Sequence, residues 1–134
     1  MPPLSRWAVR LALVYLGVGI TLGALILAQK GLGSLPWAWS GLGAHVELML
    51  IGWMTQFALG VAYWILPRLP GTAPRGNTLL AGLALVLLNL GLGLAVLAPF
   101  LPWSAGLTLA RLSEALGLLL FGYAVWPRIR ALKP

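Results

Sequence analysis

The sequence has no cysteine, one histidine and only two acidic residues, Glu47 and Glu114, in 134 positions. Without cysteine there is no disulfide framework, no thiolate metal site and no thiol nucleophile. There is also no P-loop, no G-x-S-x-G and no H-E-x-x-H, so the common soluble-enzyme motifs are absent. The GLG triplets at Gly31 and Gly41 lie in or beside a loop between apolar runs, not after a strand, which excludes a dinucleotide fingerprint. Charged residues make up only 8% of the chain, far below the roughly 25% usual for a soluble domain. What fills the sequence instead is apolar: 60% of residues are hydrophobic and the mean hydropathy is +0.95. A soluble domain of this size has too little interior to hide that surface, so its natural solvent is lipid. The net charge of +7 does not point to nucleic acid, because the basic residues sit at the ends of apolar segments, where they act as topology signals.

A membrane span needs roughly 20 apolar residues. Four stretches qualify, at about 7–28, 40–66, 78–97 and 103–126. Helix breakers separate them: Gly31, Gly33 and Pro36, then Pro67, Pro70 and Pro74, then Pro99 and Pro102. The expected fold is an all-α membrane protein of four transmembrane helices in one domain, up-down and antiparallel because the links are short. The first stretch is long and lacks a small-residue cleavage site, so it reads as a span and not a cleavable signal. Arg6, Arg10, Arg68, Arg75, Arg128, Arg130 and Lys133 fall on one side and only Lys30 on the other. The positive-inside rule then places both termini in the cytoplasm of a bacterial-type inner membrane. Tryptophans agree, with Trp7, Trp64 and Trp126 at the inner interface and Trp37, Trp39 and Trp103 at the outer. Trp53 is the exception, in mid-helix.

A faint repeat relates the helix ends Tyr63-Trp64-Ile65-Leu66-Pro67-Arg68 and Tyr123-Ala124-Val125-Trp126-Pro127-Arg128. Two similar stop signals at the interface explain it, as does a duplicated hairpin.

Four strongly polar ionisable residues lie inside the spans: His45, Glu47, Arg111 and Glu114. Such groups are costly in lipid and face protein or a cavity. At helical spacing His45, Met49, Gly52, Gln56, Gly60 and Tyr63 share one face of the second helix, and Glu47 points to nearly the opposite one. That face offers an imidazole, a thioether and then small residues that permit close approach. A neutral imidazole suits haem. A lone intramembrane histidine also serves to hydrogen-bond a neighbouring helix, and glycines also serve helix packing. Arg111 and Glu114, three residues apart, share a face of the fourth helix. They read as an ion pair that fixes register, or as a guanidinium for a haem propionate beside a proton-handling acid. Arg111 is long enough to snorkel outward toward the level of Glu47 and His45. Asn89 is expected to hydrogen-bond between helices, as Gln56 would unless it lines the pocket.

The stretch AHVELMLIGWMTQFALGVAYWILPRL, 44–69, resembles the second helix of subunit I in the haem–copper oxidase and nitric oxide reductase superfamily. In that family the helix begins with a histidine that ligates low-spin haem. A Met or Leu follows one turn later, then a glycine and a proline near the inner end; His45, Met49, Gly60 and Pro67 match these. Tyr15, Gly19 and Gly23 fit the first helix of the family loosely. Short four-helix relatives carry a His-x-His pattern, and here Glu47 stands in place of the second histidine. The resemblance implies haem b as cofactor, His45 as axial ligand, and electron transfer or diatomic-gas binding as function. Met49, Gly52, Gln56 and Arg111 are the further candidates around it. The family subunit has twelve helices and six ligating histidines, so oxygen or nitric oxide reduction by this chain alone is not expected. Its three arcs of four helices imply that three copies of this chain would form a similar ring, each contributing His45. A homodimer sharing one bis-histidine haem is the simpler competitor. The expected partners are thus the lipid bilayer, further copies of the chain, and a redox partner or respiratory subunit. Two other readings stand beside haem: a structural or assembly subunit without cofactor, and a metal or proton site of His45 and Glu47 at an oligomer axis.

Overall fold

Pro3 opens the first helix because a proline at the first helical position loses no hydrogen bond and is already set at helical φ. This computed structural model describes residues 1–71, 75–101 and 104–130; Pro74, Pro102, Trp103 and Lys133 lie outside the described residues. Helix α1 runs Pro3–Leu32, through Gly31, and stops at Gly33. Gly33 takes the left-handed conformation (φ 67°), and its N–H donates to the Gln29 carbonyl at 2.9 Å.

Pro36 then starts α2, Pro36–Ile65. It opens with a 3-10 turn, Pro36–Gly41, and becomes α-helical at Leu42–Glu47. It widens to a π-helix at Leu48–Thr55 and returns to α at Gln56–Ile65. Thr55 Oγ1 follows the wide turn, donating to the Leu50 carbonyl five residues back at 2.8 Å. Leu66 is extended (ψ 143°), as the residue before a proline prefers, and α2 ends there. Helix α3, Thr78–Leu97, is capped by the Asn77 side chain, which accepts from Leu80 N at 2.9 Å, and a short 3-10 turn, Ala98–Phe100, follows it. Helix α4, Gly106–Arg130, carries Pro127 inside it. All four helices are long and apolar enough to cross a membrane.

The helices pack through small residues. Gly23 faces His45, Gly19 faces Met49, Gly52 faces Tyr15 and Gly60 faces Ala8. The pairs run in opposite directions along α1 and α2, as antiparallel neighbours require. Helix α4 lies equally close to α3: a Cβ at Gly117 would sit 2.8 Å from the Ala84 carbonyl oxygen, and one at Gly91 would sit 2.8 Å from that of Ala110. Close backbone approach of this kind is how helices associate where no hydrophobic drive acts between them. Helix α3 is the most buried of the four and α1 the least. At the terminal end of the bundle Ala8, Tyr63, Ala81, Ala84, Phe121 and Ala124 form a core with contributions from every helix.

The end of α2 is closed by α4. Arg128, wholly buried, donates from Nε to the Pro67 carbonyl at 2.9 Å and from Nη1 to that of Tyr63 at 3.0 Å. Its Nη2 also reaches the Leu66 carbonyl. The guanidinium lies 5.2 Å from the centre of the Tyr63 ring. A cation at a helix C-terminus satisfies carbonyls that have no intrahelical partner and opposes the negative end of the dipole. Arg128→Ala is therefore expected to cost about 2 kcal/mol, the worth of a charged hydrogen-bond donor. Faster amide exchange in the last turn of α2, with α1 unchanged, is the measurement that checks it.

The two Tyr-x-x-x-Pro-Arg segments are not used alike. Tyr63 is buried and Pro67 follows the end of its helix, whereas Tyr123 is 74% exposed and Pro127 lies within α4.

Candidate functional site

His45 is carried by the α-helical part of α2, one turn from where the helix widens. Its Nδ1 lies 2.7 Å from the carbonyl oxygen of Gly19 in α1. A carbonyl only accepts, so Nδ1 holds the proton, and in the neutral ring Nε2 keeps its lone pair. The ring fits because Gly23 has no side chain: a Cβ there would sit 2.6 Å from Cε1 and 3.0 Å from Nδ1 of His45. One turn along, a Cβ at Gly19 would sit 2.8 Å from the Met49 sulfur. The Gly19-x-x-x-Gly23 pair of α1 is thus the seat of both His45 and Met49.

Gly52 and Gln56 continue that face. Gly52 admits the Tyr15 ring, whose Cγ would lie 2.9 Å from a Cβ there. Gln56 Nε2 donates to the Ala8 carbonyl at 3.3 Å. Gln56 Oε1 accepts from Asn89 Nδ2 at 2.7 Å, and Asn89 Nδ2 donates also to the Leu85 carbonyl at 2.7 Å. Asn89 Oδ1 accepts from the Tyr15 hydroxyl at 2.6 Å. This network joins α1, α2 and α3, and every polar atom in it that leaves water has a partner, which is the condition for polar groups in a low-dielectric core.

Glu47 turns the other way, toward α4. Arg111 grips it with both ends of its fork, Nη1 to Oε1 at 2.8 Å and Nη2 to Oε2 at 2.6 Å. Arg111 Nη1 also donates to Glu114 Oε2 at 2.8 Å. The two carboxylate side chains are only 7% and 6% exposed, while that of Arg111 is 52% exposed. Glu114 Oε1 is buried and has no hydrogen-bond partner among the described residues. Gly91 makes room for Glu114, since a Cβ there would lie 2.7 Å from its Cγ. The bidentate geometry ties α2 to α4 and fixes their register.

The sequence candidates therefore divide into two groups. His45, Met49, Gly52 and Gln56 meet α1, and Glu47, Arg111 and Glu114 meet one another. Within one chain His45 and Glu47 are not brought together, and Arg111 reaches Glu47 but not His45. Among the described residues no three His, Cys, Asp or Glu side chains gather as a metal cluster would require. Tyr15, Arg128 and Arg75 carry polar contacts that the sequence reading did not assign; Arg75 Nη1 reaches the Tyr63 carbonyl at 3.5 Å. The available signal for Tyr15 was one phenol in the middle of an apolar helix. For the arginines there was none, because a topology signal and a helix cap look the same in sequence. No family model matches the chain, and no curated protein or solved structure matches it.

Proposed function

We propose that this protein is a small integral membrane protein that binds haem b, with His45 Nε2 as an axial ligand and the haem held between copies of the chain. One observation carries the reading: the Nδ1–H of His45 is anchored on the Gly19 carbonyl at 2.7 Å. Histidines that ligate metals donate the other ring N–H to a carbonyl or carboxylate, which sets the tautomer, aims the free nitrogen and raises its basicity. Gly23 forms the floor against which the ring is held. Haem would supply reversible one-electron chemistry or a site for a diatomic gas. His45 supplies a fixed nitrogen, and α1 holds that nitrogen's orientation. Met49 shares the α1 side of the helix, and the exposed half of Arg111 is the part of it left for a propionate. The single histidine favours a haem shared with another copy, in a ring of three as the family resemblance suggests, or in a dimer. The charge bias puts both termini on the cytoplasmic side. Electrons would reach the site from a redox partner in or at the membrane.

The test is haem bound per chain after purification from haem-supplemented cells. Wild type is expected to retain haem, and His45→Ala to lose it more than about tenfold, since loss of an outer-shell partner alone costs that much. Gly23→Leu, which drives a side chain into the place of the ring, is expected to behave like His45→Ala. A second reading, a structural or assembly subunit, is favoured by the glycines that let α1 and α2 pack directly against each other. It predicts a colourless wild type whose partner binding survives His45→Ala.

A further inference from the structure

Two acids and one guanidinium meet inside the spans, and their charges do not cancel. Glu47 takes both ends of the Arg111 fork, Nη1 to Oε1 at 2.8 Å and Nη2 to Oε2 at 2.6 Å, which makes that pair neutral. Glu114 receives a single bond from the same Nη1, on Oε2 at 2.8 Å. Its other oxygen, Oε1, is buried with no hydrogen-bond partner among the described residues, on a side chain only 6% exposed. We propose that Glu114 is a proton-binding site inside the membrane: Oε1 carries a proton at neutral pH and gives it up when the Arg111 fork is freed from Glu47. The site does not depend on haem at His45.

Glu114 stands about 12 Å into α4 from Gly106, at 1.5 Å per residue. An ionised carboxyl there costs far more than a neutral one unless donors meet its charge. Among the described residues no packed element supplies a further donor. On α4 itself Arg111 is engaged with Glu47, and the Ser113 hydroxyl donates to the Leu87 carbonyl at 2.8 Å. From α2 the facing group is Glu47, a second acid; His45 faces α1, with Nδ1 on the Gly19 carbonyl. Helix α3 has no titratable side chain, and its Asn89 is engaged with Tyr15 of α1, Gln56 and Leu85. Gly91 of α3 lies so close that a Cβ there would sit 2.7 Å from Glu114 Cγ, so the carboxyl is wedged in place. Glu47 Oε1 and Glu114 Oε2 accept from one nitrogen, and like charges that close oppose ionisation of both acids. A metal cation fits less well than a proton. Hard cations take roughly six oxygen ligands, whereas one oxygen is open here and no three His, Cys, Asp or Glu side chains gather among the described residues. Arg111 is the half-exposed member of the cluster, so the proton enters and leaves past it.

The experiment is infrared spectroscopy of the full-length protein in an ester-free detergent. Glu47 and Glu114 are the only acidic side chains, so the carbonyl stretch of a protonated carboxyl has two possible owners. Wild type at neutral pH is expected to show this band, shifted in heavy water, and Glu114→Gln to lose it. Glu47→Gln removes the other acid and is expected to lose the band too, because the whole Arg111 fork then turns to Glu114 and ionises it. Dicyclohexylcarbodiimide, an apolar reagent for protonated carboxyls, gives a second measurement. The acid oxygen bonds to its central carbon while the acid proton passes to its nitrogen, so an ionised carboxylate is spared. Peptide mapping after labelling of the folded protein is expected to find the label on Glu114 in wild type and none in Glu47→Gln. No band in wild type, a band that survives in either variant, or label on Glu47 would each overturn the proposal. So would loss of labelling on adding sodium chloride at constant pH, which marks a metal cation in place of the proton. Should either variant fail to fold, the wild-type spectrum and the labelled position decide the matter by themselves.

Discussion

Arg111→Leu is expected to destabilise the folded protein by about 3 kcal/mol, the low end of what breaking a buried ion pair costs. Glu47 and Glu114 are almost fully buried and both rest on this guanidinium. Removing it leaves two carboxylates close together in a low-dielectric setting with no cation. The estimate sits at the low end because the Arg111 side chain is itself half exposed, and exposed pairs are worth less. The energy lost is the penalty of stranding the acids, not the net worth of the cluster. Replacing all three residues by leucine is therefore expected to restore most of the stability, as apolar replacement of buried ion clusters often does. Unfolding by a denaturing detergent, followed by helix content, measures both variants. A single Arg111→Leu variant as stable as wild type would show that α2 and α4 do not depend on this cluster.

Gly117→Leu and Gly91→Leu are expected to cost about 3 kcal/mol each or to block folding, because the α3–α4 contact has no room for a Cβ. At Gly117 the obstruction is backbone, the Ala84 carbonyl oxygen at 2.8 Å and Leu88 N at 2.9 Å, so no rotamer change relieves it. At Gly91 the Ala110 carbonyl oxygen and Glu114 N lie at 2.8 and 2.9 Å, and the Glu114 side chain is displaced as well. Gly93 and Gly122 sit in the same two helices with nothing within 4 Å of an added Cβ. Leucine at either is expected to be neutral or slightly stabilising, since glycine costs a helix about 1 kcal/mol of backbone freedom. The contrast isolates helix–helix approach from helix propensity within one experiment. Equal effects at all four positions would contradict the packing described for α3 and α4.

Much of the architecture is legible in the sequence. The third span, expected at 78–97, is Thr78–Leu97, since Asn77 is a strong N-cap and the apolar run is unbroken. The others differ at their ends, and the fourth, expected at 103–126, is displaced toward the C-terminus as Gly106–Arg130. Helix α1 begins at Pro3 and passes Gly31, because proline is favoured at a first turn and one glycine within a helix is tolerated. Helix α2 begins at Pro36, not near 40, by the same effect. Helix α4 continues past Trp126 and Pro127 to Arg130. A proline that stops a helix in water is tolerated here, where Arg128 is needed in register to cap α2. The π segment at Leu48–Thr55 had no local signal, because widening depends on how α2 meets α1 and α3.

The candidate site was legible as residue types more than as partners. The face from His45 to Tyr63 follows helical period, and its α1 contacts preserve it. That Gly19 and Gly23 seat the histidine follows from the antiparallel pairing of two helices, which spacing within either one does not encode. Helical period puts Glu47 on the face opposite His45, and the length of the Arg111 side chain gives it the reach toward Glu47. That Arg111 Nη1 is shared between Glu47 Oε1 and Glu114 Oε2 follows from the packing of α2 against α4, which spacing within either helix does not encode.

The most direct test of the haem assignment is the oxidised and reduced absorption spectrum of the protein purified from haem-supplemented cells. A Soret band that shifts on reduction is expected, with b-type bands at longer wavelength, absent from a His45→Ala protein that still forms its helices. A folded wild-type protein with no visible absorption and no extractable haem would contradict it.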